Sequence, residues 1–153
     1  MDCCLKSWNV LNWNIRGLNE EAKQRAVRAK IEESVCEVFC LQETKMESIT
    51  PSFMKKLAPK RFNKFAVSPS HGASGGLLVA WNGSAFTGVV IESNRFSITV
   101  KFSSVHNGET WKLTTVYGPC QGLPRDDFML LANNQEIDND DHWMLVGNFN
   151  FYR

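Results

Sequence analysis

Short apolar runs of strand length recur almost throughout this chain, and they confine it to a fold built around β-sheet. Trp8 to Asn14, Val38 to Leu41, Phe62 to Val67, Gly76 to Trp81, Ala85 to Ile91, Phe96 to Phe102, Trp111 to Tyr117 and His142 to Gly147 are β-prone, and turn residues punctuate them. Between the first two runs the period changes. Ala22, Ala26, Val27, Ile31 and Val35 recur near helical spacing while Lys23, Arg25, Arg28 and Lys30 take other faces. Glu20 to about Val35 is therefore read as an amphipathic surface helix, with Asn19 as its cap. Val38-Phe39-Cys40-Leu41 is apolar at every position, as in a strand covered on both faces, so the chain opens with a βαβ-like unit.

Further along, Pro51 to Pro59 is read as a loop. Asn82-Gly83 predicts a hairpin between the runs on either side of it, and Asn107-Gly108 predicts another, because both residue types tolerate positive φ. Pro119 and Pro124 bracket a loop, and Asp126 to Ile137 has helical character. The fold class that follows is α+β, with helices packed outside a mainly antiparallel β core. A chain of 153 residues, 43% hydrophobic, suffices for one such core and is short for two, so residues 1–153 are read as one domain.

Charge and cysteine content narrow the function classes. Seventeen basic residues face 16 acidic ones, for a net charge of +1, so no global basic field marks the chain as a nucleic-acid binder. Any such affinity must be local, and Lys55, Lys56, Lys60, Arg61 and Lys64 form the cluster that could meet phosphates; a solvated basic loop is the plainer reading of it. Cys3, Cys4, Cys36, Cys40 and Cys120 make an odd count, which argues for reduced thiols. Cys36 and Cys40 lack the spacing and paired histidines of a zinc site and are read as buried apolar thiols. No apolar run has the length of a membrane span, and Met1 to Lys6 lacks a signal-like segment. The expectation is an intracellular protein, nuclear or cytoplasmic, that is not secreted.

Several of the runs end in a polar residue at the carboxyl side: Asn14, Glu43 after Leu41-Gln42, Tyr117, and Asn148 with Asn150 just beyond. Taken singly, each is more often a turn former or a packed aromatic. Brought to one edge of a rigid frame they would form an active-site patch.

The order and wording of these segments add a resemblance. Asn12-Trp13-Asn14-Ile15-Arg16-Gly17-Leu18, Cys40-Leu41-Gln42-Glu43-Thr44-Lys45, Gly75-Gly76-Leu77-Leu78-Val79, Val116-Tyr117-Gly118-Pro119 and Gly147-Asn148-Phe149-Asn150 resemble, in sequence order, the signature of the endonuclease/exonuclease/phosphatase superfamily. Leu41 to Lys45 is the most specific piece. The wording looks closest to the apurinic-type endonuclease domain of plant LINE retrotransposons, over Trp8 to Arg153 and the front part of that domain. The resemblance implies a DNase I-like fold, a partial four-layer α/β sandwich of two mainly antiparallel sheets flanked by helices and incomplete at its carboxyl end. It also implies a phosphodiester hydrolase acting on DNA with Mg²⁺ (or Mn²⁺) and no other cofactor. By the same resemblance Glu43 holds the metal, Asn14 assists near metal and phosphate, Tyr117 donates to a non-bridging oxygen, and Asn150 orients the phosphate or the water.

Two departures argue against turnover. The family motif reads Gly-Asp-Phe-Asn where this chain has Asn148, and an amide can neither accept a proton nor carry charge. The family's terminal Ser-Asp-His motif would fall beyond Arg153. His71, His106 and His142 are read as surface residues, so impaired or absent cleavage is expected. Two alternatives stay open: a phosphatase or RNA nuclease of the same superfamily, and a non-catalytic remnant or binding protein.

Overall fold

The computed structural model describes residues 9–118 and 142–148. In chain order its elements are β1 (Val10–Asn14), α1 (Glu21–Glu33), β2 (Val38–Gln42), α2 (Pro51–Leu57), β3 (Lys64–Ser68), β4 (Leu77–Trp81), β5 (Phe86–Ser93), β6 (Ser97–Ser104), β7 (Thr110–Tyr117) and β8 (His142–Asn148). They build two four-stranded sheets with orders β1-β2-β4-β3 and β5-β6-β7-β8. Each sheet has one parallel pair, β1 with β2 and β7 with β8, and its other pairings are antiparallel. The expected βαβ start and β-rich α+β architecture are both present.

β2 shows why the layers stack as they do. All five of its residues are buried. Because side chains alternate across a strand, Phe39 and Leu41 face one way and Val38 and Cys40 the other. The first pair packs with Val27 and Ile31 of α1 and Met54 and Leu57 of α2. The second pair meets Ile98, Val100, Phe102, Trp111 and Leu113 of the second sheet. Aromatic rings fill much of that gap: Phe102 lies 4.7 Å from Trp111 and 5.2 Å from Trp81, centroid to centroid. Each such side chain contributes about 1.5–3 kcal/mol by leaving water. The buried thiols of Cys36 and Cys40 are free, as expected.

Four local expectations change. Asn19 does not cap α1; Glu20 occupies that position without a side-chain bond, and Asn19 Nδ2 instead donates to the Lys45 carbonyl at 3.1 Å. Val35 lies past the helix end and is 81% exposed. The segment after Thr50 is helical and not a loop, since the Thr50 hydroxyl accepts from the Phe53 N–H at 3.1 Å and Pro51 starts the first turn. Asn82-Gly83 is not a hairpin turn. β4 is flanked by β2 and β3, so it has no free edge for β5. Asn82 instead closes a tight turn, its carbonyl accepting from Ala85 and Phe86 and its Oδ1 from Ser84, and the chain crosses to the second sheet. Asn107-Gly108 does join β6 to β7 as a hairpin. The helical reading of Asp126 to Ile137 lies outside the described residues.

Candidate active site

Both parallel pairs end level with each other. Asn14 of β1 is in register with Gln42 of β2, and Tyr117 of β7 with Asn148 of β8. The sheets are joined at this end by the Gln42 amide, whose Nε2 donates to Asn12 Oδ1 at 2.6 Å and to Thr115 Oγ1 at 2.9 Å. β2 packs against β7 and β8, and β1 against β8. Asn14, Glu43, Tyr117 and the backbone of Asn148 therefore stand at one edge of the sandwich, as the polar strand ends suggested.

The turns that carry these residues are laced together by backbone bonds. Ile15 N–H donates to Gln42, Gly17 N–H to Glu43 at 2.7 Å and Leu18 N–H to Thr44 at 2.9 Å. On the other side, Thr44 N–H donates to Gly76 and Lys45 N–H to Gly75. The first turn of α1 braces the same loop, with Lys23 Nζ on the Ile15 carbonyl and Gln24 Nε2 on that of Leu18. Inside this lacing Arg16, Glu43 and Lys45 adopt φ of 52°, 55° and 56°. A non-glycine residue at such φ carries strain, and clusters of strained residues mark functional sites. Gly76 permits the close approach: at φ 99°, a Cβ there would collide with Thr44 Oγ1 and lie 3.2 Å from the Lys45 nitrogen.

Glu43 is half-buried one residue past β2. Asn14, also half-buried, accepts the Arg16 N–H on Oδ1. Tyr117 packs against the inter-sheet cluster, and its N–H donates to the Phe96 carbonyl at 2.8 Å. Next to Asn148, Gly147 (φ 147°) lets β8 approach the Val116 backbone where a Cβ would collide. Asn150 lies outside the described residues. His142 starts β8 at the end away from Asn148, His106 is exposed at the β6–β7 hairpin and His71 is exposed in a turn.

The basic cluster is not at this edge. Lys64 is level with Trp81, which pairs with Val38 at the start of β2, and Arg61 Nη2 reaches the Cys36 carbonyl at 3.5 Å. Lys55, Lys56 and Lys60 are exposed, and the carbonyls of the first two accept from Arg28.

Among the described residues no three His, Cys, Asp or Glu side chains converge. The buried Gln42 Oε1 has no hydrogen-bond partner among the described residues, while Glu43 and Asn14 offer the oxygen donors at this edge. Such a set fits Mg²⁺, which takes one or two carboxylates and keeps its waters, and does not fit the nitrogen and sulfur ligands of zinc. An open cavity of about 490 Å³ adjoins the Glu43 turn, with Asn19, Lys45, Glu47 and Gly72 among its walls.

What sequence reasoning passed over is the side chain of Gln42 together with Asn12 and Thr115. The signal was present, for Gln42 continues the face of Val38 and Cys40 at strand period and so was due to be buried.

The sequence profile described as the endonuclease/exonuclease/phosphatase family matches residues 11–152. No curated protein sequence matches. Among solved structures, an AP endonuclease of Leishmania major matches with a TM-score of 0.59 at 17% identity, over 82% of this chain and 44% of that one. TDP2 of D. rerio, complexed with a single-strand DNA product, matches with a TM-score of 0.62 at 14% identity, over 94% and 61%. A mannosyl-6-phosphatase of Bacteroides thetaiotaomicron matches with a TM-score of 0.64 at 13% identity, over 92% and 64%. At these identities the likeness is one of fold, the DNase I-like sandwich of two sheets. The chain spans less than two thirds of the length of each of these structures.

Proposed function

The chain belongs to the endonuclease/exonuclease/phosphatase family, and from that premise we propose a divalent-metal-dependent phosphodiester hydrolase acting on DNA, of LINE retrotransposon descent, with its hydrolytic step impaired at Asn148. The observation that carries this reading is Glu43, a half-buried carboxylate strained into positive φ at the edge where Asn14 and Tyr117 also end their strands.

In this reading Glu43 and Asn14 hold Mg²⁺, which when bound would neutralise charge on the phosphate. The Tyr117 hydroxyl donates to a non-bridging oxygen, and a preorganised donor of that kind is worth ~3 kcal/mol. Asn150 orients the phosphate or the attacking water. Asn148 can donate and accept hydrogen bonds but cannot take the water's proton. Away from this edge, Lys55, Lys56, Lys60, Arg61 and Lys64 make sequence-independent phosphate contacts, and neutralising any one of them would lower the salt slope of binding by about 1.

Asn148 also favours a second reading, a protein that keeps metal and phosphate binding without turnover. Supercoiled plasmid incubated with the purified chain and Mg²⁺ separates the two, with RNA and a phosphomonoester as parallel substrates. Weak plasmid nicking is expected. Glu43→Gln should abolish it, and Asn148→Asp should raise it on the order of 10²-fold, the lower end of what a placed base contributes. Nicking that survives Glu43→Gln would overturn the site assignment. Metal binding with no nicking by either wild type or Asn148→Asp would establish the second reading.

A further inference from the structure

We infer that Gln42 is a positioning residue, which ties the turn bearing Glu43 to the strand bearing Tyr117 and so fixes the spacing between the two sides of the site. The inference rests on the reading that Glu43 holds the metal and Tyr117 the phosphate.

Gln42 is 0% exposed, on the face of β2 that Val38 and Cys40 turn toward the second sheet. An uncharged amide buried among apolar side chains is costly unless its hydrogen bonds are made, and a methionine of similar length would fill the space. The amide nitrogen is fully used, with one bond to Asn12 on β1 and one to the buried Thr115 on β7. Gln42 immediately precedes Glu43, Asn12 is two residues before Asn14, and Thr115 two before Tyr117. One amide thus sits just below three residues of the proposed site and spans the gap between the sheets that carry them. Its buried Oε1, without a hydrogen-bond partner among the described residues, remains as an acceptor within that gap. Groups that orient metal ligands in this way govern affinity although they never touch the ion.

The test uses the full chain with Gln42→Met, which removes both bonds while keeping length, and Thr115→Val, which removes only the bond to β7. The Mn²⁺ dissociation constant, followed by electron paramagnetic resonance, should rise roughly 10–100-fold in Gln42→Met, as when an outer partner of a metal ligand is lost. Amide exchange should quicken at Gly17, whose N–H bonds to Glu43, and at Tyr117. It should not change at Gly108 in the distant hairpin, which a general loss of stability would also loosen. Unchanged exchange at Gly17 and Tyr117 overturns the inference with or without metal, as does wild-type Mn²⁺ affinity in Gln42→Met. If the wild type binds no Mn²⁺ yet exchange responds as described, the metal reading falls and the coupling across the sheets stands. Should Gln42→Met fail to fold, Thr115→Val decides the matter through the same readouts.

Discussion

Glu43 occupies a conformation that an L-residue with a side chain adopts at a cost of about 1–2 kcal/mol, and a glycine would sit there without it. Among the described residues no hydrogen bond to the backbone requires the carboxylate, since the bonds that lace its turn run through main-chain atoms. Glu43→Gly is therefore expected to leave the unfolding free energy in urea undiminished while abolishing Mn²⁺ binding. A loss of more than ~1 kcal/mol would show that the side chain serves the fold instead. Gly76 is the reverse case. Gly76→Ala forces both positive φ and a collision with Thr44, so a loss of about 1–3 kcal/mol is expected in the same measurement. Asn14, Glu43 and Tyr117 were legible because each closes a strand-like run and strands end in register. The strain at Glu43 was not legible, because it comes from three loops bonding to one another, a property of none of them singly.

At the level of elements, α2 shows where local signals were present and outweighed. Two prolines and a short stretch of chain suggested a loop, whereas Thr50 followed by Pro51 is a cap followed by a favoured first residue, and Met54 and Leu57 then share the buried side. Removing the cap tests how much the helix owes to it. Thr50→Ala should cost about 1 kcal/mol, read as a lower urea midpoint with an unchanged slope. Asn82-Gly83 failed as a hairpin for a different reason. Turn residues report that the chain reverses, but which strands pair is decided by free edges, and β4 has none left. Asn19 shows the same competition, its side chain drawn from the helix start to the Lys45 carbonyl, where it helps fasten the site.

Across the whole molecule, the proposed metal side and the basic cluster lie at opposite ends of the first sheet, so duplex contacts made by the latter are separable from chemistry at the former. What joins the two ends is the apolar layer between the sheets, in which Cys40 is fully buried. Burial pushes the Cys40 thiol well above its ordinary pKa of 9.0, and the neighbouring Cys36 adds to the shift. In the unfolded chain the same thiol ionises near its ordinary value. Above that pH the unfolded state has lost a proton that the folded state still holds, so stability is intact below about pH 9 and declines as pH rises beyond it. The slope for one such group is about 1.4 kcal/mol per pH unit. Urea unfolding of the wild type should therefore show a falling free energy between pH 9 and more alkaline buffer, and Cys40→Val, which keeps an apolar residue in the layer, should show a shallower fall by that amount per unit. Parallel curves for the two proteins would mean that the thiol reaches water in the folded state, and that the layer between the sheets is open at this point.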